Sequence, residues 1–159
     1  MEALLYGCMA WAPRCDHYKL LASIHHQLLR RVNRYRRKRG TFRQLSYAQA
    51  LKRVGSQSVE VTVRQRRLLF AEALARQPNG RPPKRLMFGE LVGGEDPGQG
   101  HPEQNWEMCL KDDLEAFEIL SVDWARAAKA EEGSTWHEGV LRGAETLMAS
   151  WHKKEGGTM

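Results

Sequence analysis

Apolar residues recur at helical spacing along most of the chain. Leu21, Ile24, Leu28, Val32 and Tyr35 fall three or four positions apart and predict an amphipathic helix over 17–39. Asp16 stands where an N-cap belongs, and Gly40 where a helix stops. Tyr6 and Trp11, just upstream, read as side chains that pack the start of this helix. A second helix is predicted over 47–54: Ser46 and Gln49 have capping-box spacing and Gly55 is a stop. The next segment carries two signals. Val59, Val61 and Val63 alternate as in a strand, while the continuation through Leu68, Leu69, Phe70, Ala73 and Leu74 has helical length, so one helix over 58–76 is favoured. Gln77 to Lys84 reads as a turn from its Asn-Gly and Pro-Pro pairs, followed by a short apolar patch, Leu86 to Leu91.

Gly93 to Pro102 is a Gly/Pro-rich loop and the best internal boundary. Beyond it the helical period returns. Pro102 suits a first helical turn, and Trp106, Leu110, Leu114 and Phe117 share a face. Ser121 can cap a second helix reaching Glu131, ended by Gly133. Ser134 or Thr135 can cap a third, in which Trp136, Val140, Ala144, Leu147 and Trp151 form a narrow seam. The expected fold is mostly α, a small irregular bundle of about five to six helices around a Gly/Pro-rich central loop. The parts are a basic segment 1–92, a linker 93–102 and an acidic segment 103–159, either separate or joined in one domain.

Charge sharpens this division. The net +6 conceals 19 Lys/Arg against 4 Asp/Glu in residues 1–86, and 6 against 15 in residues 87–159. Such asymmetry points to a polyanion-binding half, or to an acidic half that folds back and masks the basic one. No run of about 18 apolar residues is present, so no membrane partner is expected. Ala3 to Ala12 is apolar but carries Glu2 where a signal peptide needs positive charge, and Pro13 follows the small-residue pair. Three cysteines make no disulfide framework. The reading is an intracellular protein, nuclear or cytoplasmic, rather than a secreted one.

Most catalytic chemistry finds no support. Cys8, Cys15, His17, His25 and His26 lie close in sequence but lack a CxxC pair or another zinc spacing. Cys109 reads as a small buried hydrophobe. Asp112-Asp113 sit in LKDDLEAF, where adjacent helical residues diverge by about 100° and clamp a metal poorly, so they read as a solvated face. There is no nucleophile elbow and no GK[ST] phosphate loop. No enzyme, cofactor or metal is expected. The strongest candidate is the run RYRRKR: Arg34, Arg36, Arg37, Lys38 and Arg39, with Arg30 and Arg31 just before it. Arg forks match phosphate oxygens in pairs, so this helix end can track an RNA or DNA backbone. Arg64, Arg66, Arg67, Lys84 and Arg85 extend the candidate surface. A nuclear localisation signal and an unliganded solvated helix end remain alternatives.

Several segments, in order, resemble the post-catalytic, thumb-side part of non-LTR (LINE-type) retrotransposon reverse transcriptases. LLYGCMAW (Leu4 to Trp11) is similar to the LLYG-x-x-x-W segment after the polymerase palm, and LLRRV (Leu28 to Val32) to the arginine-bearing helix that follows it. RQRRLLFAEALAR (Arg64 to Arg76), RLMFGEL (Arg85 to Leu91), the Gly/Pro-rich loop and NWEMCLKDDL (Asn105 to Leu114) continue the succession, and Trp124 with Trp136 resembles a further paired-Trp element. The resemblance covers residues 3–142. It departs from the family at the loop, where His101-Pro102 replaces Arg-Pro and Glu103 and Gln104 replace basic residues, and no CCHC knuckle is present. It implies a non-catalytic, nucleic-acid-binding remnant without the polymerase aspartates, its basic helix in the thumb neighbourhood that grips primer and template. The alternative is a protein-interaction module or effector, partnering or self-associating through the Trp136–Trp151 seam, or a translated fragment without selected function.

Overall fold

The computed structural model describes residues 3–33, 45–87, 105–119, 124–129 and 133–156. Among them lie a 3-10 turn, Cys8–Ala10, and seven helices: α1 Cys15–Val32, α2 Tyr47–Val54, α3 Val59–Ala75, α4 Pro82–Met87, α5 Trp106–Ala116, α6 Trp124–Lys129 and α7 Gly133–Gly156. No strand occurs among the described residues, so the all-helical expectation holds. Gly40, the loop 93–102 and the Ser121 cap lie outside the described residues.

The N-terminal turn and helices α1, α4, α5, α6 and α7 pack against α3, while α2 packs on α1. Ser58 caps it, its side chain accepting a hydrogen bond from the Val61 N–H at 3.2 Å. The alternating valines then serve two cores at once. About 100° per residue places Val59 and Val63 on one side, with Leu5 and Cys8 of the N-terminal turn and Tyr18, Leu21 and Ala22 of α1. Val61 faces the other way, with Leu68, Ala71, Leu74 and Ala75, into a core shared with Trp106, Leu110, Leu114 and Phe117 of α5 and with Trp136, Val140 and Ala144 of α7. The basic and acidic segments thus share one hydrophobic core. The Trp136–Trp151 seam faces inward in this core. Trp136, Val140 and Ala144 are buried, and Trp151 packs against Tyr47 beside α2. The expectation that the seam serves a partner or a second copy is corrected accordingly.

Local chemistry sets the boundaries. At α2, the Ser46 hydroxyl accepts from the Gln49 N–H and the Gln49 side chain accepts from the Ser46 N–H, both at 3.2 Å. Gly55 ends the helix at φ +64. Helix α1 starts earlier than expected, at Cys15, so Asp16 lies in its first turn instead of capping it. Helix α7 likewise starts at Gly133, which puts Ser134 and Thr135 inside it. The turn expected at 77–84 forms around Asn79-Gly80 but ends at Pro82, where α4 begins, because prolines fit a first helical turn whose N–H groups have no partner anyway. Helix α5 closes in a Schellman motif: Ile119 N–H reaches the Leu114 carbonyl at 2.9 Å and Glu118 N–H the Glu115 carbonyl at 3.0 Å. Glu118 holds the left-handed position, φ 56, which usually takes glycine.

Helix α1 buries a different face from the one its spacing predicted. Leu29 and His25 are buried and Tyr18, Leu21 and Ala22 pack inward, while Ile24, Leu28 and Val32 are exposed. Burial holds His25 below its usual pKa. The Tyr47 hydroxyl is hydrogen-bonded to His25 Nδ1 at 2.8 Å and accepts from the Val59 N–H at 3.1 Å. One phenol therefore joins α1, α2 and α3.

Two glycines of α7 separate packing from propensity. A Cβ at Gly143 would come within 2.7 Å of the Phe117 Cβ and carbonyl oxygen, whereas a Cβ at Gly139 would meet nothing within 4 Å. Gly139→Ala is expected to stabilise the fold by about 0.5–1 kcal/mol through helix propensity. Gly143→Ala is expected to lose about 1–3 kcal/mol through overpacking. Urea denaturation of both variants checks the opposite signs.

Candidate functional site

The twelve predicted basic residues separate into three groups. The first is internal. Arg64 and Arg67 lie one helical turn apart on α3 and converge on Asp113 of α5, whose side chain is fully buried. Arg64 Nη1 donates to Asp113 Oδ1 at 2.8 Å, and Arg67 Nη1 lies 3.0 Å from Oδ2. Arg64 also donates through Nε and Nη2 to Glu60 Oε1, at 3.1 and 2.9 Å, and its guanidinium lies over the Tyr18 ring. Arg67 Nη2 donates to the Tyr18 hydroxyl at 3.2 Å. The Arg64 fork is spent on two carboxylates, and Arg67 is buried, with Nη2 on the phenol, Nη1 against Asp113 and Nε without a partner, so both are removed from the phosphate-binding set. Asp113, read as part of a solvated face, is the anion at the centre of the cluster. Buried charge needs partners, and here the partners come from far along the chain.

Lys84 is structural as well. Its ammonium donates to the Gln77 carbonyl at 3.1 Å and to Asn79 Oδ1 at 2.9 Å, just past the C-terminus of α3. A cation there also complements the helix dipole.

The second group remains at the surface. Arg30 and Arg31 occupy the last turn of α1, Arg30 half-buried and Arg31 exposed. Arg85 is exposed on α4. Half-buried Arg66 lines a hollow of about 460 Å³ with Leu5, Tyr6, Gly7 and Met9. Tyr6 is 87% exposed and does not pack against α1 as expected. The turn beneath it is held by Cys8 N–H to the Leu5 carbonyl at 3.1 Å and by the Trp106 indole N–H to the Met9 carbonyl at 2.8 Å. The sequence signal for this outward Tyr was the Gly that follows it: Gly7 takes φ +67 and turns the chain back. Trp11, by contrast, packs against the N-terminal core.

The third group, Arg34, Arg36, Arg37, Lys38 and Arg39, lies outside the described residues, as do His101 to Gln104. The residues weighed for zinc have other duties. His25 bonds Tyr47, His26 Nε2 lies 2.8 Å from the Leu45 carbonyl, and His17 accepts from the Arg14 N–H. Cys8 and Cys109 are buried, and burial raises both thiols above their usual pKa. Among the described residues no three His, Cys, Asp or Glu side chains are grouped as a metal site, and no helix is long and apolar enough to cross a membrane.

No protein-family model matches the chain, and comparison with curated proteins and with solved structures gives no match.

The internal cluster sets a pH dependence. Burial pushes the Asp113 carboxyl up to about 6, against the pull of Arg67 and Arg64. The unfolded chain takes up this proton near its ordinary 3.8, so the group's contribution to stability is full below that pH and is lost as pH rises through about 6. Arg67→Met removes the largest opposing attraction. The Asp113 midpoint is expected to climb further, and the variant to lose about 3–5 kcal/mol at pH 8 but much less at pH 4. Carboxyl-carbon NMR titration and urea denaturation at the two pH values measure both effects.

Proposed function

We propose that the chain is a non-catalytic nucleic-acid-binding protein related to the thumb-side segment of non-LTR retrotransposon reverse transcriptases. The observation that carries this reading is the basic end of α1. Arg30 and Arg31 form its last turn, and the sequence runs on directly into Arg34, Arg36, Arg37, Lys38 and Arg39. Seven cations within ten residues match the charge density of a phosphate backbone, and their Arg forks suit its oxygens. Exposed Arg85 adds to the set, while Arg64 and Lys84 are left out because their donors are engaged within the fold and Arg67 because it is buried. The hollow lined by Tyr6 and Arg66 supports the same reading, since an exposed ring at the rim of a basic hollow offers a stacking surface for an unpaired base. The non-catalytic part rests on Asp113. With both Arg partners and no solvent access, it is not open to a metal-bound nucleotide.

Neutralising five phosphates of duplex DNA gives a slope of log affinity against log salt of about −4.5. Titrations of duplex DNA, duplex RNA and a DNA–RNA hybrid at two or more salt concentrations are expected to show it. Ala at Arg30 and Arg31 is expected to make the slope shallower by about 0.9 for each phosphate no longer neutralised. Absence of binding at low salt, or a slope unchanged by these substitutions, refutes the reading.

A further inference from the structure

A hollow of about 410 Å³ lies where α1, α2, α3 and α7 meet, and the nucleic-acid reading makes no use of it. Its volume falls in the range of small-molecule sites, about 300–1,000 Å³. Three lining residues are aromatic: Tyr18 of α1, Tyr47 of α2 and Trp151 of α7. The Tyr47 and Trp151 rings stand 5.5 Å apart at 85°, so they form a corner. A flat ring placed in such a corner meets one wall by its face and the other by its edge, and both are favoured aromatic arrangements. Contacts within the fold hold the corner in shape. The Tyr47 hydroxyl is bonded to His25 and to the Val59 N–H, and the Ser58 N–H reaches Met148 Sδ of α7 at 3.4 Å.

The polar groups on the walls decide the charge of the occupant. Glu60 accepts two N–H groups of Arg64, at 3.1 and 2.9 Å. With Asp113 and Arg67 behind them, two carboxylates balance two guanidinium groups. Arg64 also lies 5.4 Å from the centroid of the Tyr18 ring, so that ring already has its cation. Lys19 is different. It is exposed, it lines the hollow, and it has no ion pair or hydrogen bond among the described residues. Ser58, only 2% exposed, accepts from the Val61 N–H through its hydroxyl oxygen, which leaves the hydroxyl proton to be donated. An ammonium and a hydroxyl proton both call for an anion. A cationic ligand would instead stand beside Lys19 and Arg64, with the one lining carboxylate already taken.

We propose that this hollow binds a small planar aromatic carboxylate, its ring in the corner of Tyr47 and Trp151 and its charge facing Lys19 and the Ser58 hydroxyl. The site is independent of the nucleic-acid reading, since none of Arg30, Arg31, Arg66 and Arg85 lines it. Cys15 also lines the hollow and is the exposed thiol of the three, Cys8 and Cys109 being buried. It therefore reports occupancy without being needed for recognition.

The probe is 2-naphthoate. It is compared with 2-naphthylmethylammonium, which has the same ring and the opposite charge, and with cyclohexanecarboxylate, which has the same charge and no aromatic ring. Each is titrated calorimetrically into the full chain. The naphthoate is expected to bind about tenfold more tightly than the ammonium compound, because attraction to one exposed cation is exchanged for repulsion. It is expected to bind about fivefold more tightly than cyclohexanecarboxylate through its aromatic contacts. Bound naphthoate is expected to slow alkylation of Cys15 by iodoacetamide about threefold or more, read by mass spectrometry. Lys19→Met is expected to weaken naphthoate binding about threefold or more without weakening that of the ammonium compound. Lys19 is exposed, so an unchanged thermal melt verifies the fold of that variant. Absence of naphthoate binding at millimolar concentration overturns the proposal, as does equal affinity for either comparison compound. Binding that leaves Cys15 reactivity unchanged, or that is unaffected by Lys19→Met, overturns it too. Arg30→Ala with Arg31→Ala is expected to leave naphthoate affinity unchanged while lowering nucleic-acid affinity, which keeps failure here apart from failure of the nucleic-acid reading.

Discussion

The fold turns on one buried carboxylate held between two guanidinium groups. Asp113 comes from the acidic end of the sequence, Arg64 and Arg67 from the basic end, and the three meet where solvent does not reach Asp113 or Arg67. Hydrophobic burial alone would let α5 slide or rotate on α3, because Leu110, Leu114 and Val61 offer no direction. An ion cluster does. Its forks fix the register of the two helices to within a hydrogen-bond length, since a shift of one turn would strand a buried charge. Tyr18, bonded to Arg67 and lying beneath Arg64, extends the constraint to α1. Three helices are thus indexed by one set of polar contacts.

Around that pin, α3 behaves as the axle of the bundle. It buries Val59 and Val63 toward the N-terminal turn and Val61, Leu68 and Ala71 toward α5 and α7, so it has no solvent face along much of its length. This explains why its sequence carries mixed signals. A helix wetted on one side shows a clean apolar stripe, whereas one wrapped on several sides shows apolar residues at every offset and can mimic strand alternation. The charges of α3 make sense on the same ground. They sit among apolar neighbours because they are what α5 and α1 lock onto.

Local chemistry was legible in the sequence and long-range chemistry was not. Ser46, Gln49 and Gly55 bounded α2 correctly, since a cap involves only residues within one turn. The spacing of Trp136, Val140 and Ala144 correctly marked one face of α7, but spacing does not say whether that face meets the chain's own core or a partner. Helix α1 shows the same gap. Its aliphatic residues cover two adjacent faces, and the choice of Tyr18, Ala22, His25 and Leu29 for burial depends on where α2 and α3 lie. Asp113 is the sharpest case. Its partner Arg64 is 49 residues away, so nothing nearby in sequence marks it as different from Asp112. The same distance hid the loss of Arg64 and Arg67 from the candidate site, and what remained there was the part whose signal is a continuous run.

The charge asymmetry can now be divided by what each charge touches. Part of the basic segment's excess is neutralised by the acidic segment, whose Asp113 meets both Arg64 and Arg67; Glu60 and Glu72, which pair with Arg64 and Arg76, belong to the basic segment itself, and Arg76 Nε donates across to the Ala128 carbonyl. The acidic segment therefore acts on the basic one as a clamp and not as a detachable mask. A mask would leave the basic part folded when removed. Removing residues 103–159 would strip Trp106, Leu110, Leu114, Trp136 and Val140 from the core they share with α3, and would leave Arg67 buried without its anion. Gain of nucleic-acid affinity on such a deletion would then report unfolding of a basic chain as readily as the uncovering of a surface. The electrostatic question belongs instead at the end of α1, where Arg30 and Arg31 lead in sequence into a run of cations.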